Sequence, residues 1–108
     1  MPSNLGELEQ LVLLVLLGLG EEGYGVTVRA DLARRARRRV SLGTVYKTLL
    51  RLEAKGLVGT WLGEPTPERG GRRKKHYRVT PAGRRALTRS LDALRRLGRG
   101  LDPAWQLP

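Results

Sequence analysis

Ser41-Leu42-Gly43-Thr44-Val45-Tyr46-Lys47-Thr48-Leu49-Leu50-Arg51-Leu52-Glu53-Ala54-Lys55 reads as a capped amphipathic helix. Ser41 is a good N-cap, and Gly56, directly after the stretch, is a suitable left-handed stop. Val45, Leu49 and Leu52 follow i, i+4, i+7 and form an apolar stripe. Thr44, Lys47, Thr48, Arg51 and Lys55 fall on a separate face that is basic and hydroxyl-bearing. Further on, Gly70-Gly71-Arg72-Arg73-Lys74-Lys75 is a glycine-started basic run between two strand-like segments. A helix that can lie in a groove, followed by a basic hairpin that can reach phosphates, is a DNA-reading device.

Outward from that helix, residues 57–62 and 75–79 carry the β-formers Val58, Thr60, Trp61, Tyr77 and Val79. Residues 63–74 between them are rich in Gly, Pro and charge, so the pair is a hairpin with a long loop. Thr80-Pro81 supplies an N-cap with proline at the first helical position, and the last helix extends to about Gly98. Leu87, Leu91, Leu94 and Leu101 form a heptad-like seam along it, interrupted by Gly98, that suggests packing against another helix. Its own domain is the alternative surface.

Upstream, Val40 to Leu42 is short and extended. A second helix begins after Gly23, around Tyr24 to Val26, carries Val28, Leu32 and Ala36 at helical spacing, and closes on Arg37-Arg38-Arg39. The first helix covers residues 5–17, with Asn4 as N-cap and Glu7 in its first turn. Leu8, Leu11, Val15 and Leu16 mark its core face, but Leu13, Leu14 and Leu17 make its second half apolar all round. Such a helix must be covered on every side, and a second subunit is the natural cover. The expected dimerisation set is Leu8, Leu11, Val15, Leu87, Leu91 and Leu94.

At 108 residues the chain has the size of one compact unit. Residues 1–80 are expected to hold the DNA-reading part, and residues 81–108 a dimerisation helix and tail. The formal net charge is +11. It is also segregated: residues 1–28 hold four acids and no Lys or Arg, leaving +15 from Arg29 onward. Such segregation favours a polyanion-binding surface over general basicity. Cysteine is absent and histidine occurs once, so no disulfide framework, metal site or cofactor is expected. The longest apolar run, Leu11 to Leu17, falls far short of the ~20 residues of a membrane span. A cytoplasmic location with no membrane contact is expected. No Ser/His/Asp, Cys/His, paired-carboxylate or phosphate-loop arrangement is visible, which speaks against an enzyme.

Thr44 and Lys47, near the helix start, are placed to reach base edges. Ser41 and Thr48 accompany them, while Arg51 and Lys55 can contact bases or phosphates depending on tilt. Tyr46 can fill the rim of the core, donate to a phosphate, or both. Tyr24 opens the second helix, where a backbone phosphate can meet a helix N-terminus. Arg72, Arg73, Lys74 and Lys75, with Arg69 upstream, form the hairpin tip and suit phosphate or minor-groove contact. The Arg34 to Arg39 patch either flanks DNA or is only the solvated end of a helix. His76 reads as a surface strand residue, and Trp105 as an anchor for the tail.

The order of elements resembles a winged helix-turn-helix, mainly α with a small β-hairpin and a C-terminal dimerisation helix. At the level of residues the chain resembles the PadR family of bacterial transcriptional regulators, whose pattern is "SPGTLY…LxxLExxGLV" followed by "GRxRKYYxLTxxG". The matching stretches are Ser41 to Tyr46, Leu49 to Val58, and Gly71 to Gly83, with Tyr24-Gly25 and the Leu-rich first helix fitting as well. Leu42 stands where the pattern has proline, and His76 where it has the first wing tyrosine. The resemblance implies a homodimer binding a pseudo-palindromic double-stranded DNA operator, commonly as a repressor. It also implies a possible small aromatic effector, for which Trp105 is the weak candidate residue. Nonspecific architectural DNA binding or RNA binding is the alternative that charge alone allows.

Overall fold

A computed structural model describes residues 5–65 and 73–105 of the chain. Four helices and one antiparallel hairpin follow in the order α1 (Glu7–Leu19), α2 (Gly25–Arg35), α3 (Leu42–Ala54), β1 (Val58–Pro65), β2 (Arg73–Val79) and α4 (Pro81–Gly98). Short 3-10 turns lie at Gly20–Glu22 and Pro103–Trp105. The fold is a winged helix-turn-helix, with the hairpin as wing.

Each boundary has a local cause. Ser41 caps α3 by accepting from the Thr44 N–H at 3.1 Å, and Thr80 caps α4 by accepting from the Gly83 N–H at 3.1 Å. At the other end of α3 the Leu57 N–H reaches the Leu52 carbonyl at 2.9 Å and the Gly56 N–H reaches Glu53 at 2.9 Å. This double closure needs a left-handed residue, and Gly56 supplies it at φ 72°. The motif turns the chain directly into β1.

Several expected boundaries move. α1 runs on to Leu19 rather than ending at residue 17, and α2 ends at Arg35 rather than in the Arg37 to Arg39 run, where Arg37 takes φ 51°. α1 starts from Gly6 rather than from Asn4, which lies outside the described residues; Glu9 reaches back to the Gly6 N–H at 2.8 Å. The short strand expected at residues 40–42 does not form, because Leu42 is already the first residue of α3. The hairpin is instead extended on its other flank, where Tyr24 bridges His76 and the Tyr77 N–H donates to Gly23 O at 2.8 Å. Both strands run longer than the sequence suggests. Val58 pairs with Val79, Thr60 with Tyr77 and Leu62 with Lys75, and an irregularity between Leu62 and Pro65 precedes the tip.

The core is built where the helices and the base of the wing meet. Val12, Leu13, Val15 and Leu16 of α1, Val28 and Leu32 of α2, and Val45, Leu49 and Leu52 of α3 pack with Leu57, Val58 and Tyr77. Ala86 and Leu87 join them, so the first half of α4 is part of this core. Beyond Leu91 the helix leaves it, since Leu94 is 49% and Leu97 80% exposed. Val15 and Leu87, both expected to meet a partner, are buried within their own protomer, and Leu8, Leu11 and Leu91 are half-buried against the same core. Of that set only Leu94 is openly exposed; Leu14 and Leu17, at 42% and 39%, present the outer side of α1.

Candidate nucleic-acid interface

Four residues anchor α3: Val45, Thr48, Leu49 and Leu52 are its buried positions. Thr48, expected on the basic face, lies in the core instead. It is 3% exposed, and its hydroxyl donates back to the Thr44 carbonyl at 2.9 Å, which satisfies it inside the core. Lys47 and Arg51 are exposed, and neither has an ion-pair partner among the described residues. Ser41 and Thr44 are linked, the Ser41 hydroxyl donating to Thr44 Oγ1 at 2.9 Å. Thr44 accepts in that bond, so its own proton remains for a further acceptor.

Lys55 remains exposed but is engaged by a long-range contact. Its ammonium donates to both Glu9 carboxylate oxygens, at 3.0 and 2.8 Å, tying the end of α3 to the start of α1. Burial pushes the Glu9 carboxyl up, but the Lys55 ammonium, the Gly6 N–H and the nearby Arg51 charge together hold it below the ordinary glutamate value. A depressed carboxylate stabilises the fold above its unfolded pKa, and that contribution fades as pH falls through the folded value. Lys55→Ala is therefore expected to cost about 1–2 kcal/mol at pH 7, between exposed-pair and buried-pair values. Urea unfolding should show the loss at pH 7 and little of it near pH 3; an equal loss at both would remove the charge from the explanation.

Tyr46 leans on α2. A Cβ added to Gly25 would lie 2.5 Å from Tyr46 Cζ and 2.6 Å from its hydroxyl, so only glycine admits the ring there. The tyrosine, 44% exposed, thus fills the rim and holds its hydroxyl beside the first turn of α2, and both sequence readings of it remain compatible with its position. Tyr24 is half-buried under the wing, with His76 edge-on at 5.2 Å between ring centroids and the Lys74 ammonium 4.6 Å from its ring.

The wing brings Arg73, Lys74 and Lys75 to its exposed side, whereas Arg69 and Arg72 lie outside the described residues. Lys75 is not a spare cation: it pairs with Glu53 of α3 at 3.2 Å, a contact that raises its pKa. This pair fixes the wing against the helix. His76 is packed rather than loose on the surface. Its Nδ1 lies 2.8 Å from the Glu21 carbonyl and its ring stacks on Trp61 at 5.1 Å, fastening β2 to the turn after α1. Beside that stack is a hollow of about 610 Å³ whose lining includes Leu17, Trp61, Arg78 and Arg84. The side chain of Trp105 lies outside the described residues.

Much of the Arg34 to Arg39 patch is used internally. Arg34 and Arg35 bind Asp31 at 2.5 and 3.2 Å, and the Arg34 contact is the chief cause that lowers the Asp31 pKa. Arg38 pairs with Glu7 at 2.6 Å, and Arg29 donates to the Val40 carbonyl at 3.2 Å. Arg37 and Arg39 are exposed. The residue that sequence reasoning missed is Leu50, which is 64% exposed on α3. Counting 100° per residue from the Val45–Leu49–Leu52 stripe sets it on the outward side, roughly 130° from the stripe.

The comparisons with known proteins agree with this geometry. Residues 12–89 match the Transcriptional regulator PadR-like family. Over 78 residues the chain is 45% identical to the Mycobacterium tuberculosis transcriptional regulator Rv3488, an alignment covering 72% of this chain and 68% of that protein. The fold is similar to the crystal structure of a PadR family transcription regulator from Clostridium difficile R20291, with TM-score 0.71 at 24% identity, covering 85% of this chain and 91% of that one. It is also similar to Bacillus subtilis PadR crystallised with operator DNA, with TM-score 0.65 at 21% identity over 78% of this chain and 47% of that one. No helix among the described residues is long and apolar enough to cross a membrane. With a family match across most of its length and a relative of this identity, the chain belongs to the PadR-like family of transcriptional regulators.

Proposed function

We propose that this regulator, which is not an enzyme, acts in the cytoplasm as a homodimeric repressor. Each protomer sets α3 into the major groove of one half-site of a pseudo-palindromic operator, and the two half-sites lie about one helical turn apart. The observation that carries this reading is the division of cations on α3 and the wing. Lys55 and Lys75 are spent on Glu9 and Glu53, while Lys47, Arg51 and the wing residues Arg73 and Lys74 are exposed and in no ion pair among the described residues, Lys74 lying against the Tyr24 ring. The internal pairs stiffen the frame, and the outward cations meet a polyanion.

Residues 1–80 form the reading part in this proposal, and residues 81–108 supply the dimerisation helix and tail through the outer half of α4. Release by a flat aromatic effector, which the family resemblance implies, would act through the hollow beside Trp61 and His76. A ring added to that stack presses on the contact that holds β2 to Glu21.

Lys47→Ala is expected to weaken operator binding by about tenfold, within the range for a lost base contact, and to leave random-duplex binding nearly unchanged. Lys74→Ala weakens both and lowers the salt slope by roughly one. Fluorescence anisotropy on both duplexes across a salt series measures this; equal losses for Lys47→Ala would remove its base-reading role. An operator displaced equally well by unrelated duplex, or by RNA, would favour nonspecific architectural or RNA binding.

A further inference from the structure

The buried positions of α3 define a direction, and at 100° per residue the opposite direction is occupied by Gly43, Lys47, Leu50 and Ala54. All four are exposed. Gly43 and Ala54 are small, so Lys47 and Leu50 are the only bulk at the centre of the outward stripe. A single exposed leucine is ordinary on a protein surface. Its position is what makes this one informative, because it stands one turn beyond Lys47 on the outward side of α3, at the edge of the face that carries Lys47 and Arg51.

Charge chooses the partner, and the apolar side chain must then find an apolar group on it. The major-groove edge of duplex DNA presents hydrogen-bond donors and acceptors from all four bases, and one apolar group, the thymine C5-methyl. We infer that Leu50 is a specificity-determining residue that reads a thymine methyl in each half-site. The inference rests on the proposed placement of α3 in the major groove. Leu50 lies three residues beyond Lys47, about 4.5 Å along the helix at ~1.5 Å per residue. Base pairs are stacked about 3.4 Å apart, so the thymine stands one or two base pairs from the base that Lys47 contacts.

The test uses the full-length dimer and an operator recovered by enriching random duplex DNA on it. Each thymine is replaced singly by uracil, which lacks only the methyl. Wild type is expected to lose about fourfold in affinity at one thymine per half-site, the value of one methyl-sized apolar group. Leu50→Ala should bind the unmodified operator about as weakly as wild type binds the uracil operator, and should be indifferent to uracil at that position. The variant retains the fold, since the position is exposed and alanine is a strong helix former; an unchanged melting temperature checks this.

Wild type that is indifferent to uracil everywhere overturns the inference, as does Leu50→Ala that keeps the same thymine preference. An operator with no thymine in the half-site does so too. Such results leave the groove placement of α3 standing if Lys47→Ala still loses operator binding. Failure to recover any operator removes that placement, and this inference with it.

Discussion

Leu97→Asp is expected to convert the proposed dimer into folded monomers and to lower operator affinity by roughly 10²–10⁴-fold, the factor that joining two reading heads contributes. The argument starts from what one protomer leaves uncovered. The first half of α4 delivers Ala86 and Leu87 to the core, and beyond Leu91 the helix carries Leu94 and Leu97 out at 49% and 80% exposure. Leu14 and Leu17 on α1 repeat the same i, i+3 spacing at 42% and 39%. Each leucine side chain moved fully from water into an interface stabilises it by about 1.5–3 kcal/mol, and the four in each protomer are contributed twice in a two-fold dimer.

A carboxylate at position 97 removes one such contact and would have to be stripped of water without a partner. Leu97 is the better choice than Leu91, because Leu91 also packs against its own core and an acid there would disturb the protomer itself. Sedimentation should give the monomer mass with an unchanged circular dichroism spectrum. If the variant sediments as a dimer, the outer half of α4 does not lie in the interface.

Gly83→Ala is expected to destabilise the protomer by roughly 3 kcal/mol or more, at the upper end of overpacking costs, which lowers Tm by about 10–20 °C. Two effects oppose each other. Alanine in a helix is favoured over glycine by up to about 1 kcal/mol. Against that, a Cβ at Gly83 would stand 2.1 Å from the Leu57 carbonyl oxygen and 2.8 Å from Val79 Cγ1.

The oxygen belongs to backbone that is already engaged. It accepts from the Thr80 N–H at 3.0 Å, and the neighbouring Gly56 carbonyl accepts from the Thr80 hydroxyl at 2.8 Å. Relief therefore requires lifting the whole start of α4 off the turn between α3 and β1. Gly59→Ala is the control, since its Cβ would meet nothing closer than 3.9 Å, and its stability should change by less than about 0.5 kcal/mol. Equal melting temperatures for Gly83→Ala and the native protein would mean that α4 does not dock so closely.

Much of the fold was legible because its signals are local. The caps Ser41 and Thr80, the stop at Gly56, and the Val45, Leu49, Leu52 stripe act over one turn of helix, within reach of a pattern. The same reasoning assigned only part of α1. Val15 and Leu16 of its expected core face are buried, but where Leu11 to Leu17 is apolar throughout, periodicity could not tell that Val12 and Leu13 are buried while Leu14 and Leu17 are exposed. Thr48 misled for a related reason: a threonine counts as polar, but its hydroxyl can be satisfied by the carbonyl four residues back and its methyl can then be buried.

By itself the sequence determined the order of the four helices and the hairpin, both ends of α3, the start of α4, the inward stripe of α3 and the segregation of positive charge, all of them consequences of short-range hydrogen bonding, side-chain periodicity and composition. Tertiary structure alone decided which cations are available. Lys55 meets Glu9 across 46 positions of chain and Lys75 meets Glu53 across 22, contacts that exist only once the helices and the wing are packed. It also decided which side of α1 is covered, leaving Leu14 and Leu17 exposed at 42% and 39%, because the direction an all-apolar helix face takes is set by the core it buries and not by the helix itself.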